Sequence, residues 1–231
     1  MTDVMQNLFF IGKGIVLTMQ LLTGGMLIGV LLGTLLSICR HQGVACFVIN
    51  RFISILRGTP LILQLSFIYF AVPVLLGMRP SILVAGIVAF GLNSSAYFAE
   101  ILRAGIESLP KGQFEAALTL QIPTFYLWKD IILPQVARNI FPAMINEMIA
   151  LLKETALIST IGGMDLMRQA QTLAAQQFTY FMPLCITGFY YYSLVLLLEA
   201  LGKKIEKGDI MLQVINASKK SAMPKYLMRL I

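Results

Sequence analysis

Long apolar segments separated by short charged ones are the feature that most constrains this 231-residue chain. A helix needs about 20 mostly apolar residues to cross a lipid bilayer. Five segments approach that length, and they run from about 11–39, 61–76, 81–102, 140–161 and 181–201. Charged residues make up 13% of the chain, against about 25% in a soluble domain. The sequence therefore predicts an all-α membrane protein, with a soluble protein of unusually apolar helices as the alternative.

The distribution of positive charge predicts an orientation in the membrane. Five spans put the two termini on opposite sides, and Lys and Arg accumulate on the cytoplasmic side. With the N-terminus outside, 14 of the 18 Lys and Arg residues fall on inner segments or on the C-terminal tail. We therefore expect an external N-terminus (1–10), a transmembrane domain (11–201) and a basic cytoplasmic tail (202–231). The net charge of +7 then indicates topology and lipid contact rather than nucleic-acid binding.

Sequence motifs of catalysis, nucleotide binding and metal binding are missing from the chain. It contains no GxxxxGK[ST] phosphate loop and no HExxH, CxxC or GxSxG pattern. The three cysteines, Cys39, Cys46 and Cys185, fit no metal-ligand spacing and are expected to be reduced thiols. We therefore predict no catalytic residue, no metal and no cofactor bound by this chain, which favours a conduit over an enzyme.

Polar side chains within two of the predicted spans are candidates for a substrate path. A charge at the bilayer centre costs about 2.5–3.5 kcal/mol and persists where it faces a bundle interior or a watery cavity. Helical spacing places the members of each group on one face or on neighbouring faces. They are Asn93, Tyr97 and Glu100 in the third span, and Asn146, Lys153 and Glu154, with Glu147 beside them, in the fourth. Hydrogen bonds between helices, a structural ion pair or an early helix end would explain these residues as well.

Three glycines recur every fourth residue within the first span, at Gly25, Gly29 and Gly33. This spacing leaves a groove without side chains along one helix face, so that another helix backbone can approach closely. The pattern predicts a tightly packed helix interface, and the ordinary frequency of glycine in membrane helices is the alternative.

A charged segment with two prolines, EAALTLQIPTFYLWKDIILPQ (115–135), interrupts the apolar pattern between the third and fourth spans. Its first residues are strong helix formers, and Glu115 at the predicted start would suit the helix dipole. Pro123 limits this helix, and an aromatic patch that includes Trp128 follows. A short helix on the cytoplasmic face with large side chains suits docking to a partner protein. An amphipathic interfacial loop is the alternative.

This segment resembles the EAA loop of ABC-importer permeases, in which EAA precedes a glycine and a distal I-x-L-P. The matching residues are Glu115, Ala116, Ala117, Ile131, Leu133 and Pro134. Gln121 stands where the family has the glycine, which leaves the geometry of that turn open. The runs RGTPLILQLSFIYFAVP, LNSSAYFAEILRAGIESLPKGQFEAA and LLKETALISTIG look like the polar amino-acid branch of these permeases.

The resemblance implies a five-helix type I importer core with the N-terminus outside and the C-terminus inside. It implies a location in the bacterial inner membrane and a pairing with a second permease copy or a paralogue. Two separate ATPase subunits would hydrolyse ATP and grip the EAA helix, and an external binding protein would deliver a polar amino acid such as glutamine, arginine or histidine.

The resemblance also implies residue roles. The ATPase-coupling contacts would be Glu115, Ala116, Ala117, Leu120 and Gln121. The RGTP motif at 57–60 would orient the second span rather than touch substrate. A membrane scaffold or sensor that docks an ABC ATPase without transporting is the alternative, and Gln121 favours it.

Overall fold

The computed structural model describes residues 2–43, 46–77 and 79–221, and every regular element in these ranges is helical. The helices are α1 (Thr2–Gly12), α2 (Ile15–His41), α3 (Cys46–Gly58), α4 (Leu61–Ser66), α5 (Val72–Leu76), α6 (Ile82–Glu107), α7 (Lys111–Thr119), α8 (Thr124–Tyr126), α9 (Leu133–Glu154), α10 (Leu166–Gln177) and α11 (Phe181–Ser221). π-Helical turns, Phe67–Ala71 and Leu127–Ile132, and a 3₁₀ turn, Thr155–Ile161, continue α4, α8 and α9. The all-α prediction is confirmed. The end of the predicted tail, 222–231, lies outside the described residues.

Within the part of the chain that the structure describes, three helical stretches are long and apolar enough to cross a membrane: Val4–His41, Ile82–Glu107 and Phe181–Glu206. They contain almost all of the first, third and fifth predicted spans. A fourth crossing arises if α3 and the helix after it, Leu61–Leu75, form one span that bends by 104°. The predicted second span is thus the second arm of a bent pair.

The predicted fourth span, 140–161, differs most from the structure. Its α-helix, α9, begins at Leu133 and ends at Glu154, and the chain then continues as a 3₁₀ turn. α9 is not among the stretches apolar enough to count as a span, because several charged residues lie along it. Its 22 residues still extend over about 33 Å, which is the thickness of a bilayer core.

The close approach of α2 and α6 forms the centre of the molecule, and it confirms the packing predicted from the three glycines. A Cβ atom added at Gly29 would lie 2.8 Å from the Cβ atom of Ser94, and one at Gly33 would lie 2.7 Å from the carbonyl oxygen of Ser95. Any side chain at these positions would separate the two helices. The missing side chains therefore set the distance between the helices.

A buried apolar cluster fixes the other helices against this pair. Its fully buried members are Leu21, Leu65, Ala89, Phe90, Leu151, Leu152 and Ile158. They come from α2, α4, α6, α9 and the 3₁₀ turn. One apolar core therefore joins α2 and α6 to the helices around them.

The bend between α3 and α4 is held by one side chain. Pro60 lacks a backbone N–H and stands at the start of α4 in an extended conformation, which ends α3. The side-chain amide of Gln64 then donates to the carbonyl oxygen of Leu56 at 2.7 Å and to the hydroxyl of Thr59 at 2.9 Å. These bonds cross the bend and fix its angle, which agrees with the orienting role implied for 57–60.

α1 and α10 are tied together at the end of the molecule where α11 begins. The side-chain amide of Gln177 donates to Asn7 at 2.8 Å, and the hydroxyl of Tyr190 donates to the carbonyl oxygen of Leu8 at 2.9 Å. Asp165 caps the start of α10 by accepting a bond of 2.9 Å from the backbone N–H of Arg168. The N-terminal helix is therefore part of the folded core.

Candidate functional site

The segment with the two prolines, 115–135, which we call the coupling segment, exposes large apolar side chains. Leu118 is 77% exposed, Leu120 is 71% exposed and Phe125 is 66% exposed. Glu115 and Ala116 are exposed beside them, whereas Ala117 is buried. Contiguous exposed apolar surface of this kind commonly marks an interaction site. Of the five predicted coupling residues, four thus lie on an open surface and Ala117 faces inwards.

The inner face of the coupling segment is anchored to the helices on either side of it. Its buried residues Ala117, Leu127 and Ile132 form a second apolar cluster with residues outside the segment, which are Leu109, Val136 and Ile140. The side-chain amides of Gln113 and Gln135 bond to each other in both directions, at 3.0 and 2.9 Å. The segment is therefore packed against the ends of α6 and α9 and is not a free loop.

Aromatic contacts connect the coupling segment to the end of α2. The ring of Trp128 lies between two others, with its centroid 4.9 Å from that of His41 and 6.4 Å from that of Phe114. Both contacts have the edge-to-face geometry that aromatic rings favour. The π-helical turn therefore contacts both the end of α2 and α7.

Glu115 does not lie at the start of its helix, which corrects one prediction. α7 begins four residues earlier, at Lys111, because Pro110 stands just before its first turn and the residues after it continue as helix. Glu115 therefore lies in the second turn, where the helix dipole acts weakly. Its exposed carboxylate is instead available to a partner.

Gln121 adopts the backbone conformation that a glycine would, with φ at 53°. The backbone N–H of Ile122 donates to the carbonyl oxygen of Ala117 at 3.0 Å, and the N–H of Gln121 donates to that of Leu118 at 3.1 Å. These two bonds define the Schellman motif, a common helix C-terminus that usually has glycine at this position. The turn of the EAA loop thus forms without its glycine, at the cost of local backbone strain.

The polar residues predicted on α6 do not share one environment. Asn93 is buried, with 4% of its surface exposed. Tyr97 lies under the guanidinium of Arg57, at 5.3 Å from the ring centroid. Glu100 accepts from Arg40 at 2.6 Å and from Arg103 at 2.9 Å. The structure therefore places Tyr97 and Glu100, but not Asn93, in a group of arginines near the end of α6.

The polar residues predicted on α9 lie in different places. Asn146 lines a cavity of about 340 Å³ between α9 and α11, whereas Tyr97 and Glu100 line a cavity of about 420 Å³ between α6 and α9. Lys153 is exposed and Glu154 is half-buried. The structure thus distributes the candidate path residues over two cavities and an open surface instead of gathering them at one point.

One polar contact between α6 and α9 was missing from the predicted set. The hydroxyl of Ser94 donates to the carboxylate of Glu147 at 3.0 Å. Ser94 lies on the helix face that meets Gly29, so this bond lies close to the centre of the molecule. A carboxylate within an apolar run was the signal in the sequence, but the position of its partner depends on how α6 and α9 cross.

The sequence and the fold agree with those of known transport proteins. Residues 25–208 match the family model described as the binding-protein-dependent transport system inner membrane component. A Rickettsia conorii protein named as a candidate glutamine transport system permease, GlnP, is 47% identical over 204 residues, which are 87% of this chain and 93% of that protein. The arginine transport system permease protein ArtQ of Bacillus subtilis is 43% identical over 200 residues, which are 86% of this chain and 91% of that protein.

A solved structure shows the same fold. A crystal structure of an amino acid ABC transporter with histidines contains a chain that superposes with a TM-score of 0.83 at 35% identity, over 89% of this chain and 97% of that one. The chain therefore belongs to the family of binding-protein-dependent transport system inner membrane components.

Proposed function

We propose that this chain is the transmembrane permease subunit of an ATP-driven importer for polar amino acids in a bacterial inner membrane. Glutamine, arginine and histidine are the substrate class that the resemblance of the sequence implies, and relatives are named for glutamine and arginine systems. The chain pairs with a second permease copy or a paralogue, receives substrate from an external binding protein, and works with two ATPase subunits. ATP binds to the ATPases and not to this chain.

The observation that carries this proposal is the two-sided coupling segment. Its outer surface exposes apolar side chains and Glu115, as a docking surface does. Its inner surface is buried against the ends of α6 and α9 through Ala117, Ile132 and Val136. A displacement of the docked ATPase would therefore be transmitted to the ends of α6 and α9, because packed cores transmit strain instead of absorbing it.

The substrate path is proposed to run between α6 and α9. The two helices share the Ser94–Glu147 hydrogen bond and border the cavity that contains Tyr97 and Glu100. Asn93, Asn146, Lys153 and Glu154 complete the proposed set, and carboxylates, amides and a lysine can together bind a zwitterion. Relative movement of α6 and α9 would bring these separate positions together in one conformation and part them in another.

Charge reversal at Glu115 tests the docking surface. Glu115→Lys removes an exposed carboxylate that no buried contact requires, so the protein should insert normally while amino-acid uptake falls to background. Gln176→Lys, at an exposed residue of α10 outside the coupling segment and outside both cavities, is the control and should leave uptake unchanged. Uptake of labelled glutamine and arginine, with membrane content measured in the same cells, decides the result. Normal uptake by Glu115→Lys would refute the coupling role.

A scaffold or sensor that docks an ATPase without transporting is the alternative function. Co-purifying the chain with its ATPase and reconstituting both with the binding protein separates the two. A transporter hydrolyses ATP faster when loaded binding protein is added, and labelled amino acid accumulates in the vesicles. A scaffold shows docking without accumulation, and an ATP-independent channel shows uptake without any ATPase.

A further inference from the structure

A group of five charged side chains surrounds the end of α6 and carries an excess of positive charge. Its ion pairs join Glu100 to Arg40, Arg57 and Arg103, and join Arg103 to Glu107. Three guanidinium groups against two carboxylates leave one positive charge. The arginines come from α2, α3 and α6, so the excess charge lies where three helices meet.

Two of the three arginines donate hydrogen bonds to the carboxylates of this group. Arg40 donates to Oε1 of Glu100 at 2.6 Å. Arg103 donates to Oε2 of Glu100 at 3.0 and 2.9 Å, and to Glu107 at 2.6 Å. Both carboxylate oxygens of Glu100 therefore already accept short, charge-assisted bonds.

Arg57 is the weakly bound member of the group. Its nearest carboxylate oxygen, on Glu100, is 3.5 Å away, which is beyond the usual length of a hydrogen bond. Its side chain is 42% exposed, and its guanidinium lies over the ring of Tyr97. The ring and the carboxylate hold the guanidinium in place, while most of its five N–H donors have no acceptor among the described residues.

Arg57 lines the cavity of about 420 Å³ between α6 and α9, together with Tyr97 and Glu100. This volume lies within the range of small-molecule sites. Apolar residues of both helices, including Ile101 and Ile140, line the cavity, and polar groups that include Asn139 lie at its edge. An oriented cation beside an apolar surface fits a ligand that has an anionic group and an apolar body.

We propose that this cavity binds an oxyanion, either a phosphate or a carboxylate, through the guanidinium of Arg57. Two sources supply such a group: the phosphate of an anionic phospholipid, and the carboxylate of an amino acid leaving the chain. Basic pockets between membrane helices on the cytoplasmic side are known to take lipid head groups. The phosphate source is independent of the proposed function. The carboxylate source rests on it and would give Arg57 a contact with substrate, which differs from the purely orienting role that the resemblance implies for 57–60.

The test measures ligand binding to the full chain in nanodiscs of phosphatidylcholine. The probes are phosphatidylglycerol, counted by native mass spectrometry, and labelled glutamine, arginine and inorganic phosphate, measured by equilibrium dialysis. Arg57→Gln should weaken binding of at least one probe by about tenfold or more, the usual effect of losing a charge-assisted hydrogen bond. The probe that responds identifies the source of the oxyanion.

Arg51→Gln is the matched control. Arg51 lies on the same helix, is exposed, and rests over the ring of Phe47 at 5.3 Å, away from the cavity. The Arg51→Gln protein should bind every probe as tightly as the unmodified chain does. Equal loss in Arg57→Gln and Arg51→Gln would show a general effect of surface charge and overturn the proposal.

A second variant keeps every arginine and fills the cavity. Ala104 is an exposed residue of α6 that lines the cavity, so Ala104→Phe should block the ligand without changing the charge. Unchanged binding in Ala104→Phe, or no binding of any probe by the unmodified chain, would overturn the proposal. Amino-acid uptake by the unmodified chain is measured in parallel, so that a failed site and a failed transport function give different results.

Discussion

At the scale of single residues, Gln121 shows how a motif can lose its usual residue and keep its shape. Sequence reasoning identified the missing glycine but not its consequence, which depended on whether the turn would rearrange or accept strain. The two Schellman hydrogen bonds form, and Gln121 takes a positive φ. The feature that favoured a scaffold over a transporter therefore leaves the geometry of the coupling segment intact.

Restoring glycine at this position should stabilise the protein. Gln121→Gly removes the steric cost of a side chain in left-handed backbone, which is about 1 kcal/mol or more. Thr119→Gly, in the last turn of α7 with ordinary helical backbone, should instead destabilise by about 0.5–1 kcal/mol. Thermal unfolding of the purified proteins in detergent measures both changes. A lower melting temperature for Gln121→Gly would show that the backbone at Gln121 is not strained.

Lys153 is the candidate path residue that is easiest to test, because its side chain is exposed and its loss disturbs no core. If it binds the carboxylate of a passing amino acid, Lys153→Met should raise the half-saturating substrate concentration by about tenfold or more. Lys13→Met, which removes an exposed lysine that lies over the ring of Phe9, is the control. If Lys153→Met leaves the concentration dependence of uptake and the substrate preference unaltered, this lysine has a structural role only.

At the scale of helices, the α2–α6 contact depends on the absence of side chains. A methyl group at Gly29 would meet Ser94 at 2.8 Å, so Gly29→Ala should cost about 1–3 kcal/mol through overpacking. Gly188, in α11, has no atom within 4 Å of an added Cβ, and Gly188→Ala should be neutral or stabilising by up to about 1 kcal/mol. Melting temperature and yield from membranes measure the difference. Equal behaviour of the two variants would mean that the helices can separate at little cost.

The helices themselves could be predicted where one physical signal sufficed. Uninterrupted apolar length correctly predicted the first, third and fifth spans, and the four-residue glycine spacing predicted the α2–α6 interface. The other elements depend on tertiary contacts that a linear pattern does not contain. The 104° bend is fixed by the bonds of Gln64 across Pro60, and α9 starts seven residues before the predicted span because it packs on the coupling segment.

The candidate site was predictable to a different degree in each of its parts. The coupling segment could be located from composition and resemblance, since prolines, charge and aromatic residues interrupt an apolar pattern. The partners of the intramembrane polar groups could not, because Ser94–Glu147 and Arg40–Glu100 join residues that are far apart in the chain. Spacing on a single helix identifies a shared face but not what packs against it.

At the scale of the whole molecule, the orientation in the membrane is a prediction from charge, and exposed positions at both ends allow it to be tested. Leu118→Cys, in the coupling segment, and Gln176→Cys, in α10, are introduced separately into a chain whose three cysteines are replaced by serine. A membrane-impermeant thiol reagent added to intact spheroplasts should modify Gln176→Cys and spare Leu118→Cys until the cells are opened. The reverse pattern would place the coupling segment outside and end the ATPase proposal.

The glycine-lined contact also limits how the molecule can change shape. The side chain of Ile28 packs on Gly91, and that of Ile87 packs on Gly24. Sliding α2 along α6 by one turn, about 5 Å, would move each of these side chains off the glycine that leaves room for it. Shear between these two helices is therefore blocked, and the pair should travel as a single rigid body. Alternation between outward and inward access then requires movement at its borders, where side chains rather than backbones make the contact, such as the boundary between α6 and α9.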